Sequence, residues 1–211
     1  LAGARILLVE DNEINQQVAC ELLVEAGFAV DVAENGHLAV HSVDARHAEG
    51  CPYDMVLMDM QMPVMDGVSA TRRIRETHGA GALPIVAMTA NAMQADRARC
   101  MQAGMNGFVS KPINPEDLWR ELLAWLPLRA DGQAHNAAPT PTPTPTPADG
   151  AAAAALLQSL RGIAGLDVAQ GLLRTTGNPA FYARLLRKFA ASQQEVLARV
   201  QQALQGAARA Q

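Results

Sequence analysis

The stretch Met55-Val-Leu-Met-Asp59-Met-Gln-Met-Pro-Val-Met-Asp-Gly67 constrains this chain more than any other. An apolar run delivers one carboxylate, Asp59, and the chain then breaks into a loop marked by Pro63 and Gly67. A short apolar run bounded by turn residues reads as a strand buried on both faces of a parallel sheet. In open α/β sheets, ligands gather at the carboxyl ends of strands. Asp59 therefore reads as a nucleophile at such an end, one that accepts a phosphoryl group.

The rest of the first 128 residues repeats the pattern. Arg5-Ile-Leu-Leu-Val-Glu10 is a first strand ending in acids. Asp11 and Asn12 can cap a helix carrying Ile14, Val18, Leu22 and Leu23 at helical spacing. Ala26-Gly27 ends that helix. A second strand spans Phe28 to Ala33. Asn35-Gly36 opens a second helix with Leu38, Ala39 and Val43. The third strand, Met55 to Asp59, leads past Gly67 into a helix with Val68, Thr71 and Ile74 on one face. Pro84 precedes a fourth strand, Ile85 to Thr89, and Asn91 caps a fourth helix ending at Ala103-Gly104. The fifth strand is Gly107-Phe-Val-Ser-Lys111. Asn114-Pro-Glu-Asp117 opens a fifth helix with a cap, a proline in the first turn and two acids. Its apolar face is Leu118, Leu122, Leu123 and Leu126. Alternating strands and helices make βαβ units and a parallel sheet.

Beyond Arg129 the composition changes. Ala137-Ala-Pro-Thr-Pro-Thr-Pro-Thr-Pro-Thr-Pro147 alternates Pro and Thr and reads as an extended polyproline II spacer. Its dozen or so residues would reach roughly 35–40 Å at about 3.1 Å each. The division is thus 1–128 as one doubly wound domain, 129–150 as linker and 151–211 as a helical segment. In that segment Ala151 to Leu160 reads as helical. Asp167 caps a short helix through Leu173. Phe181, Leu185, Leu186, Phe189, Val196, Leu197, Val200 and Leu204 mark a long amphipathic helix after Pro179. These helices are few for a bundle of their own, so the segment reads as an incomplete domain or one that packs on a partner. The chain opens at Leu1 rather than Met, which reads as a piece of a longer protein.

A net charge of −4 and 4% aromatic residues give no case for nucleic acid. Cys20, Cys51 and Cys100 are widely spaced and fit neither a disulfide framework nor a zinc site. No apolar run is long enough to span a membrane. The expected setting is cytoplasmic, with the option of a parent anchored in the inner membrane. His37, His41, His47 and His78 read as surface residues, and the methionines as core and loop packing.

The chemistry lies at one rim. Glu10 and Asp11 follow the first strand, Asp59 ends the third, Thr89 the fourth and Lys111 the fifth. If the first and third strands are neighbours, three carboxylates converge and would repel. A divalent cation with hard oxygen ligands, Mg²⁺, resolves that conflict. The metal, the Lys ammonium and the Thr hydroxyl can together neutralise phosphoryl oxygens. Each residue has a plainer reading. Acids cap helices, Thr89 is a strand-end hydroxyl and Lys111 a solvated charge. The set in this order carries the signal.

Residues 1–128 resemble the receiver (response-regulator) domain of two-component signalling. The resemblance rests on Val9-Glu-Asp-Asn12, Met58-Asp-Met-Gln-Met-Pro63, Asp66-Gly67, Met88-Thr-Ala-Asn91 and Lys111-Pro112. It implies a flavodoxin-like sheet of order 2-1-3-4-5. It implies Asp59 as phosphoacceptor, Asp11 as a direct Mg²⁺ ligand, Glu10 as one acting through water, and the main-chain carbonyl of Gln61 as a third. Thr89 would be the switch hydroxyl and Lys111 the phosphate-binding cation. Phe108 would be the aromatic coupled to Thr89, a role that coincides with a plain core aromatic. The resemblance also implies a cis bond at Pro112, where sequence alone favours trans, cis being about 5–6% of X-Pro bonds in folded proteins.

The wording of these motifs is most similar to receivers fused to bacterial hybrid sensor histidine kinases. Gly165-Leu-Asp-Val-Ala-Gln-Gly-Leu-Leu-Arg-Thr-Thr-Gly-Asn-Pro-Ala-Phe-Tyr182 resembles the opening of a histidine phosphotransfer (HPt) domain. No histidine follows His135, so the active histidine of such a domain is not in this chain.

The expected function is a phosphoacceptor module in a phosphorelay. Its donor would be a kinase's phosphohistidine domain and its onward acceptor an HPt histidine, with no nucleic acid and no membrane contact. The fourth helix, fifth strand and fifth helix would shift on phosphorylation. The fragment would not be a kinase, though its parent would be. Three alternatives compete. A phosphatase of the Asp-nucleophile class would want an Asp where Gln61 stands. A stand-alone response regulator would carry a helical or DNA-binding tail, but no helix-turn-helix is visible. A degenerate receiver would lack the acid pair.

Overall fold

The computed structural model describes residues 3–90, 94–126, 147–161, 163, 167–175 and 177–191. The chain divides into two compact units, Leu1–Thr140 and Pro141–Gln211.

In the first unit, strands β1 (Arg5–Val9), β2 (Ala29–Ala33), β3 (Met55–Asp59), β4 (Ile85–Thr89) and β5 (Gly107–Ser110) form one parallel sheet. The order is β2-β1-β3-β4-β5. This is the flavodoxin-like doubly wound fold. Helices α1 (Glu13–Glu25), α2 (Gly36–Ala48), α3 (Gly67–Arg75) and α4 (Gln94–Ala103) make the crossovers, and α5 (Pro115–Trp125) follows β5.

Strand alternation sorts the core into two layers. Leu7, Val9, Val56, Met58, Ile85 and Ala87 face one side, where Val43, Val68, Ile74 and Cys100 from α2, α3 and α4 cover them. Ile6, Leu8, Met55, Leu57, Val86 and Met88 face the other, under Leu22 and Leu23 of α1 and Leu118 and Leu122 of α5. Because both faces are covered, β3 and β4 are buried at every position. That is why they read as unbroken apolar runs. Each fully buried leucine contributes about 1.5–3 kcal/mol.

Caps fix the helix starts. Asn12 Oδ1 accepts from the N–H groups of Ile14 and Asn15 at 2.9 and 3.2 Å. Asn35, Asp66 and Asn114 cap α2, α3 and α5 in the same way. Asn91 falls outside the described residues.

Several expectations are corrected. β2 starts at Ala29, one residue later than expected, with Phe28 buried beneath it. Leu38 and Leu123 lie on otherwise apolar helix faces, yet are 44% and 63% exposed. Each sits at the border of its stripe, where the sheet no longer covers it. His78 is buried rather than on the surface. Its Nε2 is 3.1 Å from Asp44 Oδ1, and its ring meets His47 edge to face at 4.7 Å. Those partners lie on α2, far along the chain from His78.

In the second unit, α6 (Pro147–Ser159) begins within the stretch assigned to the linker. Proline suits a first helical turn, and the alanines after it are strong helix formers. α7 (Val168–Arg174) is capped by Asp167, whose Oδ1 accepts from Gln170 N–H at 3.0 Å. Residues 179–191 are helical. Leu157, Val168 and Tyr182 form the core of this unit. Gly171 is required there, since a Cβ would lie 2.1 Å from the Tyr182 ring. Phe189, read as part of an apolar face, is exposed. Residues 137–146 of the Pro-Thr spacer and Val196 to Leu204 fall outside the described residues. No described helix is long and apolar enough to cross a membrane.

Candidate functional site

The site forms where β1, β3, β4 and β5 end together. β1 and β3 are neighbours with Val9 opposite Met58, so the next residues, Glu10 and Asp59, come out side by side. Asp11 follows just before the α1 cap. One carboxylate oxygen from each of Glu10, Asp11 and Asp59 lies within 4.8 Å of the others. The sequence expected this convergence on condition that the two strands were adjacent.

Burial makes the cluster unusual. Glu10 and Asp59 are 1% and 5% exposed, whereas Asp11 is open to solvent. Burying carboxylates is costly unless they are paired. Lys111 pairs two of them. Its Nζ lies 2.5 Å from Glu10 Oε2 and 2.6 Å from Asp59 Oδ2. The remaining Glu10 oxygen, Oε1, accepts from Asn15 Nδ2 at 2.8 Å. The Glu10 carbonyl accepts from Gln16 Nε2 at 2.7 Å. Asp59 Oδ1 accepts from Gln61 N–H at 3.2 Å. Three carboxylates against one ammonium leave an excess of two negative charges. Hard oxygen donors with that excess suit a divalent cation such as Mg²⁺.

The loops are held by close approach. A Cβ on Gly67 would lie 2.2 Å from the Asp59 carbonyl oxygen, so only glycine lets α3 start directly over the acceptor strand. Asp66 caps that helix, and the Ser69 N–H holds its carboxyl below the usual carboxylate range. Lys111 N–H donates to Thr89 O at 2.7 Å, fixing the end of β5 against β4. The Lys111–Pro112 peptide is cis.

A cleft of about 490 Å³ opens beside the acids. Asp11, Gln61, Pro63, Asp66, Thr89 and Arg99 are among the residues that line it. Thr89 is buried at 6% exposure and ends β4, the strand beside β3, one residue past the Met88 that lies opposite Asp59. Phe108 is half-buried on β5, packed against the core layer beneath α4. The Arg97 guanidinium covers its ring at 4.1 Å. Sequence reading missed Asn15, Gln16, Arg97 and Arg99. Asn15 and Gln16 carry one legible signal, polar residues in the first turn of a helix that starts beside a buried acid.

A family model for the response regulator receiver domain matches residues 6–123. The chain belongs to the response regulator receiver family. The rice two-component response regulator ORR41 is 51% identical over 117 residues, covering 54% of this chain and 87% of that one. The Dictyostelium discoideum hybrid signal transduction histidine kinase M is 41% identical over 112 residues, 52% of this chain but 5% of that protein. The chain thus spans a small part of the hybrid kinases it matches.

Among solved structures, the receiver domain of the Pseudomonas aeruginosa sensor histidine kinase PA1611 is 45% identical with a TM-score of 0.53. It covers 59% of this chain and 98% of that one, and holds a magnesium ion in its active site cleft. The receiver domain of yeast Ssk1, solved with the histidine phosphotransfer protein Ypd1, is 28% identical with a TM-score of 0.52. That match covers 59% of this chain and 90% of the matched one. This receiver therefore belongs to two-component signalling, with relatives inside hybrid histidine kinases.

Proposed function

We propose that Asp59 accepts a phosphoryl group from a phosphohistidine in the presence of Mg²⁺. The observation that carries this reading is the buried carboxylate of Asp59, held by Lys111 beside Glu10 and Asp11, with Asp11 lining a cleft. An Asp59 oxygen attacks phosphorus. The N–P bond breaks, its electron pair returns to the imidazole, and the histidine takes up a proton from water. When bound, Mg²⁺ would supply charge that neutralises the phosphoryl oxygens. Asp11, Asp59 and the Gln61 carbonyl would hold it, with Glu10 acting through water. Lys111 keeps a cation beside the new phosphate, and Thr89 offers a hydroxyl from β4. Thr89 and Phe108 would relay the change to the face of α4, β5 and α5.

We further propose that residues 1–128 are the receiver, 129–150 a spacer and 151–211 part of an HPt domain, within a bacterial hybrid kinase. The Asp167 cap and the Gly165–Tyr182 wording support the last assignment. With no histidine beyond His135, this chain's tail offers no imidazole for onward transfer.

The test is intact mass after incubation with phosphoramidate and Mg²⁺. One phosphoryl group should add, and none in Asp59→Asn. An adduct that survives Asp59→Asn, or no adduct on the unaltered chain, refutes the reading.

A further inference from the structure

Val64 combines two costs. At 87% exposure it is the most exposed large hydrophobic residue among those described. Its φ is 69°, and no other described residue except glycine has a positive φ. For a β-branched side chain that conformation is an outlier. The turn is closed by Met65 N–H donating to Pro63 O at 2.8 Å, a three-residue turn of a kind that is rare and strained. It is clamped on both sides. Gly36 N–H donates to Met65 O at 3.1 Å, and Gly67 N–H to Met60 O at 3.3 Å. Such strain persists only where the surroundings impose it, and it gathers at functional sites. Glycine or asparagine would take this φ at less cost. An apolar side chain in water adds little to the fold, so stability does not account for valine here.

Position does. Val64 lies between Pro63 and Asp66, both of which line the cleft. It therefore stands on the lip of the acceptor site. Asp59 is 5% exposed, so a macromolecular donor must cover that lip to bring its phosphohistidine to the carboxylate. We propose that Val64 is an apolar contact point for the phosphohistidine-bearing protein, filling an apolar recess beside the donor histidine. This rests on Asp59 being the phosphoacceptor. The strained turn presents the side chain already fixed in place, so no ordering cost falls on the encounter.

The experiment compares two donors on the full chain with Mg²⁺: phosphoramidate, and the phosphorylated histidine phosphotransfer protein Ypd1. Val64→Asn should take phosphate from phosphoramidate at the unaltered rate. From phosphorylated Ypd1 it should be slower by roughly tenfold. Its unfolding midpoint should equal or exceed that of the unaltered chain, because strain is relieved. Equal rates from Ypd1 overturn the proposal. So does slowing from both donors, a lower midpoint, or no transfer from Ypd1 to a chain that accepts from phosphoramidate. If the unaltered chain takes nothing from phosphoramidate, the phosphoacceptor reading itself falls.

Discussion

Lys111 Nζ lies 2.6 Å from Asp59 Oδ2, and the same nitrogen reaches Glu10. One ammonium thus holds two buried carboxylates from different strands. Removing it leaves both unpaired, a loss on the order of 3 kcal/mol. A divalent cation would replace much of the missing charge. Lys111→Met should therefore unfold at lower urea than the unaltered chain, and Mg²⁺ should recover a larger share of stability in the variant. Urea titrations with and without Mg²⁺ check this. An identical deficit in both conditions would mean that the carboxylates do not share a cation site.

Gly67 gives a second prediction. Alanine there would put a Cβ 2.2 Å from the Asp59 carbonyl oxygen. That oxygen belongs to the backbone of the acceptor residue, so relief must move either the start of α3 or Asp59 itself. Gly67→Ala should cost about 3 kcal/mol, at the upper end for overpacking. It should also slow phosphate uptake. A chain with wild-type midpoint and uptake rate would show that the loop adjusts at no cost.

A third concerns the Arg97 guanidinium above the Phe108 ring. At an exposed site such a contact contributes about 0.5–1 kcal/mol. A double-mutant cycle with Arg97→Met and Phe108→Leu should return a coupling in that range for the unphosphorylated chain. If Phe108 leaves Arg97 when Asp59 is phosphorylated, the coupling should vanish in the phosphorylated chain. Unchanged coupling in both states would rule out Phe108 as part of the switch.

Much of the site was legible because Asp59 and Thr89 each end an apolar strand, with Glu10 and Lys111 one residue past theirs. Period and punctuation locate strand ends without any knowledge of the sheet. The adjacency of β1 and β3 was not legible in the same way. Local pattern does not order strands, and the order followed from the family resemblance. Leu38 and Leu123 fit the helical repeat, but the width of the covered stripe depends on how each helix sits on the sheet. His78 lies in a loop that looks exposed, and Asp44 on α2 decides its burial. Val64 gave no signal, since valine is among the last residues one would place at a positive φ.

The last prediction is an alkaline loss of stability. Burial, then the nearby Asp31 carboxylate, pushes the Tyr53 hydroxyl up from 10.0 to about 12. Its O–H donates to Asp31 Oδ2 at 3.0 Å. Burial pushes the Cys20 thiol from 9.0 to about 11. In both, the folded chain favours the protonated form. The stabilisation is complete below the unfolded pKa and is lost as pH rises toward the folded one. The windows are therefore pH 9.0 to about 11 for Cys20 and 10.0 to about 12 for Tyr53. Within its window Tyr53 can lower stability by at most about 1.4 kcal/mol per pH unit. Tyr53→Phe forfeits the Asp31 hydrogen bond and should be less stable at pH 8. Above pH 10 its urea midpoint should fall less steeply than that of the unaltered chain, with Cys20→Ala flattening the curve from about pH 9. Parallel curves for Tyr53→Phe and the unaltered chain would show that Tyr53 ionises as readily in the folded protein as in the unfolded one.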